Sequence, residues 1–191
     1  MLTRSSNVFP SWAGMWLTAL TRPSVATYER LLRQQHDAAR SAHAWLFISS
    51  VIGSSISSLV PVVMQVARRQ PVDTALLLAI PVTSIVTMLV WVMFVGCTQG
   101  IARLLRGGGS YTEAAFACAL FSAPLTIVVN ALSLIPHSGW LLLGLYVYWC
   151  FLYIVAVRAV NQTSWIKAVT AVLMSVLLVS CVVLGAIVLA G

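Results

Sequence analysis

The chain of 191 residues is 60% hydrophobic and 8% charged, with a formal net charge of +7. An ordinary soluble domain carries about 25% charged residues, so this composition excludes one and points to the membrane. Hydrocarbon cannot satisfy backbone N–H and C=O groups, and continuous rather than alternating apolar runs favour helices over a closed barrel. The expected fold class is therefore an all-α integral membrane protein: a five-span transmembrane helical bundle with an N-terminal interfacial amphipathic arm.

The arm covers residues 1–42. Its opening, MLTRSSNVFPSWAGMWLTAL, is broken by Pro10, Ser11 and Gly14 before any apolar core of a cleaved signal can form, so it is expected to stay attached. Phe9, Trp12, Ala13, Trp16 and Leu20 share one face at about 100° per residue. Tryptophan prefers the headgroup level, which makes Phe9, Trp12 and Trp16 the expected interfacial anchors. A second helix restarts near Pro23, a residue tolerated in a first helical turn, and leads with basic side chains towards the first span.

Residues 43–191 form one five-helix transmembrane domain, with spans at about 43–67, 74–100, 113–135, 138–160 and 167–190, each long enough to cross hydrocarbon at roughly 20 apolar residues. The first span contains SSVIGSSISSLVPVV. On a helical wheel Ser50, Gly53, Ser54, Ser57, Ser58 and Pro61 gather in one arc, opposite valines, isoleucines and a leucine. Such a seam lets backbones approach closely, and its hydroxyls can bond neighbouring carbonyls. Thr83, Ser84 and Thr87 of the second span are the expected mates. Helix packing is the preferred reading of this face, and a narrow polar pathway is the alternative.

Between the second and third spans lies RLLRGGGSYTEAAF. It lacks the Lys-Ser/Thr ending of a phosphate-binding loop, and reads instead as a tight glycine turn followed by a capping box of Ser110 with Glu113. Arg103 and Arg106 beside it, with Arg158 and Lys167 around the fourth loop, are candidate lipid headgroup contacts. Counting Lys and Arg outside the spans puts nine inside and two outside when the N-terminus is cytoplasmic, so that orientation is expected, with the C-terminus on the opposite side of the cytoplasmic (inner) membrane. Topology thus explains most of the charge, and no nucleic acid partner is implied.

Chemistry-bearing residues are sparse. Cys97, Cys118, Cys150 and Cys181 sit apart in apolar runs with no CxxC pair, and read as buried thiols packing like small hydrophobes. A serine nucleophile needs a base and an orienting group within reach, but His36 and His43 belong to the inner end and His137 to the outer one. No catalytic residues, metal site or cofactor are expected. Gln65, Gln99 and Asn130 read as polar groups paired across helices. Prolines 61, 81, 124 and 136 interrupt or border spans; neighbouring helices commonly accommodate such residues.

Three ordered stretches resemble the Yip family, the Ypt/Rab-interacting membrane proteins, in its compact bacterial type. WLTALTRPSVATYERL carries Trp16, Thr21, Pro23 and Tyr28; RGGGSYTEAAFACALFSAPL carries Gly107, Gly108, Gly109, Tyr111, Ala123 and Pro124; WCFLYIVAVRAVNQTSWIKAV ends on Lys167. The resemblance implies a five-span bundle with a cytoplasmic N-terminus and a non-enzymatic protein. The long cytosolic domain and acidic-aromatic motif of the eukaryotic relatives are missing, so their GTPase binding is not carried over. The expectation is a non-catalytic Yip-like membrane scaffold or accessory subunit, in contact with lipid headgroups, a partner membrane protein or another copy of itself. The alternative is a small-solute permease or channel-like facilitator using the Ser/Thr-rich face of the first two spans.

Overall fold

The computed structural model describes residues 12–33 and 38–190; Phe9 and His36 lie outside the described residues. Seven helices follow in order: α1 (Trp12–Thr21), α2 (Val25–Arg33), α3 (Ala38–Ala67), α4 (Ala75–Leu104), α5 (Tyr111–Leu132), α6 (Gly139–Asn161) and α7 (Trp165–Ala190). Five of them, α3 to α7, are long and apolar enough to cross a membrane, and no strand occurs among the described residues. The protein is an all-α membrane bundle.

The axis of the bundle is α5, whose residues from Ala114 to Ala123 are all buried. Its alanines at 114, 115, 117, 119 and 123, with Cys118 and Ser122, keep the helix thin, which lets α1, α2, α3, α4 and α6 all reach it. Phe116 and Phe121 fill the remaining space as fully buried rings. The seventh helix packs outside, on α4 and α6.

Helices α3, α4 and α5 run continuously through Pro61, Pro81 and Pro124. Proline donates no hydrogen bond, so carbonyls one turn earlier need other donors. For Pro81 that carbonyl belongs to Leu77; just after the proline two hydroxyls bond back one turn, Thr83 Oγ1 to the Ala79 carbonyl at 2.6 Å and Ser84 Oγ to that of Ile80 at 2.7 Å.

The first two helices form a hairpin against the bundle. Trp12 and Trp16 are half-buried, their rings 5.4 and 5.3 Å from that of Trp45, and Trp12 lies 5.8 Å from Phe116. Tyr28 is fully buried, edge-on to Phe121 at 6.5 Å. Between the helices, the Tyr148 hydroxyl donates to the Leu20 carbonyl, one of the acceptors that the end of α1 leaves open. At 1.5 Å per residue, Tyr148 stands about 20 Å from the Asn161 end of α6, and Phe121 about 15 Å from the Tyr111 end of α5. The hairpin therefore reaches the middle of two spans, with its turn at Arg22, Pro23 and Ser24.

Candidate functional site

The polar centre of the molecule lies where the α4–α5 and α6–α7 loops meet. Gln99 and Asn161, both buried, exchange amide hydrogen bonds: Gln99 Nε2 donates to Asn161 Oδ1 at 3.0 Å, and Asn161 Nδ2 to Gln99 Oε1 at 3.1 Å. The pair also holds the glycine loop. Gln99 Nε2 donates to the Gly109 carbonyl, while Gly109 N–H donates to Asn161 Oδ1 at 3.3 Å and Gly108 N–H to the Asn161 carbonyl at 3.3 Å. A side chain would not fit there. A Cβ on Gly107 would stand 2.8 Å from Asn161 Oδ1, and one on Gly109 would stand 2.7 Å from the Val160 carbonyl oxygen.

The approach to this loop is a Schellman turn. Arg106 adopts a left-handed φ of 67°, with Arg106 N–H donating to the Arg103 carbonyl and Gly107 N–H to that of Ala102. On its far side the capping box forms, Ser110 Oγ accepting from Glu113 N–H at 3.2 Å and Glu113 Oε2 from Ser110 N–H at 2.8 Å. Tyr111 begins α5, and its hydroxyl lies 3.2 Å from His43 Nε2; the His43 ring meets Trp91 edge-on at 5.5 Å. Arg103, Arg106 and Lys167 are exposed at this end. Arg158 is half-buried, its guanidinium 4.2 Å over the Trp165 ring, so that cation is already engaged.

The serine face of α3 meets two helices. Ser54 Oγ accepts from Thr83 Oγ1 at 3.0 Å and from Ser84 Oγ at 3.3 Å, on α4. Gly53 faces α5, where an added Cβ would stand 2.7 Å from Asn130 Nδ2. Ser50 and Ser58 are buried, Ser57 donates back to the Ser54 carbonyl, and Pro61 is half-buried. Thr87 stands apart from this seam, exposed on a cleft of about 280 Å3 between α4, α5 and α6 that Thr126 and Asn130 also line.

Other polar expectations divide. Gln65, in the last turn of α3, accepts from the Asp73 N–H of the loop that follows rather than pairing across helices, and Asn130 donates to the Thr126 carbonyl one turn back. Of the four cysteines only Cys118 is enclosed by protein; Cys97 and Cys150 are half-buried and Cys181 is exposed. Apolar surroundings in sequence do not distinguish a protein neighbour from lipid, and three of these thiols face outward at least in part. Asn161 and Tyr148 went unmarked by sequence. The signal for Asn161 was its place in the short polar turn VNQTS, at the end of an apolar span.

Helices of this length, a polar clasp at one end and a small-residue seam between spans define a multi-pass membrane protein of the helical-bundle class. The Yip1 domain model matches residues 17–187. That range takes in the second half of α1, all of α2, the glycine loop and the five long helices as far as Ile187 of α7, and the chain belongs to the Yip1 family. No curated protein and no solved structure gives a significant match.

Proposed function

We propose that this protein is a non-catalytic scaffold or accessory subunit of the cytoplasmic membrane, with the clasped loops as a rigid basic platform facing the cytoplasm. The observation that carries the reading is the Gln99–Asn161–Gly109 clasp. It ties the α4–α5 turn, which bears Arg106 and follows Arg103 in the last turn of α4, to the end of α6, six residues ahead of Lys167 in α7, so exposed positive charge flanks a fixed turn. Such a surface suits anionic headgroups of the inner leaflet or an acidic patch on a partner membrane protein. The excess of Lys and Arg in the arm and these loops supports a cytoplasmic N-terminus.

Native mass spectrometry after gentle extraction from the source membrane tests the reading. A stoichiometric partner, lost in an Arg103→Glu/Arg106→Glu variant, is the expected result for an accessory subunit, and anionic lipid lost in the same variant is the expected result for a headgroup platform. Species that are unchanged by the charge reversal count against both. The permease alternative draws on the cleft beside Thr87; it requires solute flux in proteoliposomes that falls when bulky side chains replace Ser50 or Thr83. Burial of Ser50 at 1% exposure and the use of Ser54 by two α4 hydroxyls favour packing over a pathway.

A further inference from the structure

The hairpin carries arginines to a depth where none is expected. Arg22 is at its turn and is exposed, next in chain to the α1 terminus whose Leu20 carbonyl meets Tyr148 near the middle of α6. Arg30 is about one and a half turns along α2 and exposed, on the same helix as Tyr28, which packs on mid-span Phe121. These two arginines line one cleft of about 620 Å3, together with Ser24 and Thr27. Neither forms an ion pair among the described residues. A second cleft of about 310 Å3 adjoins the first through Arg30 and extends to Arg33, with Glu29 the single acidic group lining it among the described residues.

Three cations against one carboxylate, facing outward from a hairpin inserted between headgroup level and bilayer middle, are costly unless they meet an anion. Guanidinium matches phosphate with two parallel N–H donors. The cleft floor adds order: Ser24 Oγ accepts from Thr27 N–H at 3.1 Å and lies 2.8 Å from Thr27 Oγ1, so the turn between the two arginines is pinned. An arginine side chain is long enough to reach outward along the hairpin while the phosphate is drawn inward.

We propose that the cleft of Arg22, Ser24, Thr27 and Arg30 binds the phosphate of an anionic phospholipid, seated deeper than the surrounding headgroups. The net positive charge of the two clefts selects anionic over zwitterionic lipid. The site is separate from the loop platform, and it does not depend on the scaffold reading: a permease with the same hairpin would hold the same lipid.

The test uses full-length protein in nanodiscs of equal phosphatidylglycerol and phosphatidylcholine, with lipid retained on release counted by native mass spectrometry. Wild type keeps phosphatidylglycerol in preference; Arg22→Ala/Arg30→Ala lowers that retention about ten-fold, the effect of losing a charge-assisted pair, while Arg68→Ala/Arg69→Ala, exposed in the α3–α4 loop, retains it. Equal retention by all three proteins, or a loss reproduced by the loop variant alone, overturns the proposal. If the alanine pair does not fold, Arg22→Gln/Arg30→Gln decides. Preference lost in a folded glutamine pair supports the site, and preference kept in it overturns the proposal. Millimolar inorganic phosphate is the second probe; full displacement of phosphatidylglycerol from wild type by it would assign the cleft to free phosphate and overturn the lipid.

Discussion

Gln99 of α4 and Asn161 of α6 face each other as a reciprocal amide pair, and the α4–α5 loop hangs from that pair through both polar groups of Gly109. Removing either amide strands the other where water does not reach. Gln99→Ala and Asn161→Ala should each cost about 1–3 kcal/mol, and the double variant less than their sum, with a coupling of about 0.5–3 kcal/mol. Thermal unfolding in one detergent, read as a double-mutant cycle, checks this; strict additivity would mean that the amides act separately.

The glycine triplet allows a test within three consecutive residues. A Cβ on Gly108 meets nothing within 4 Å, whereas one on Gly109 runs into the Val160 carbonyl. Gly108→Ala should change stability by no more than about 0.5 kcal/mol. Gly109→Ala should cost about 1–3 kcal/mol, because backbone rather than a flexible side chain must move. Similar melting temperatures for the two would show that the loop rests loosely on α6.

Arg106 holds a φ of 67° at the C′ position of α4, where glycine carries no Cβ penalty. Arg106→Gly should therefore raise stability by about 0.5–1 kcal/mol while removing a platform charge. A variant that melts higher but retains less anionic lipid would separate the two roles of this residue; a lower melting temperature would mean that the arginine side chain stabilises the turn.

Ser54→Leu should destabilise by about 1–3 kcal/mol through overpacking against Thr83 and Ser84. Ser57→Leu should cost less, since Ser57 is half-buried and its hydroxyl only returns to its own helix. Thermal melts of both variants in lipid nanodiscs measure the difference. If neither melt shifts, the seam does not pack α3 on α4.

Tyr148→Phe deletes the donor to the Leu20 carbonyl and keeps the ring. Hydrogen exchange should quicken in α1 and α2 and stay unchanged in α5, corresponding to about 1 kcal/mol of local stability. Uniform acceleration would indicate that the hairpin and the bundle open as one unit.

Much of this architecture was legible in the chain. Apolar length marks five long helices, because a segment in hydrocarbon must satisfy its own backbone and so announces itself by composition. Ser110 and Glu113 announce the start of α5 by local chemistry alone, three residues apart. The arc of Ser50, Gly53 and Ser54 shows a seam on a helical wheel for the same reason: the contacts are set within one turn. The Yip1 domain model matches residues 17–187.

Tertiary structure decided the rest. Gln99 and Asn161 are 62 positions apart, Leu20 and Tyr148 are 128 apart, and nothing local indicates that either pair meets. The same holds for α5: its alanines permit a central position, but only the arrangement of five neighbours around them makes it the core. The depth of the hairpin was hidden for a related reason. Trp12, Trp16 and Tyr28 suit a headgroup layer and a protein groove equally well in sequence, since both offer an apolar side and a polar one. The packing of Tyr28 on Phe121 and the Tyr148 bond to Leu20 bring that segment to mid-span, carrying Arg22 with it.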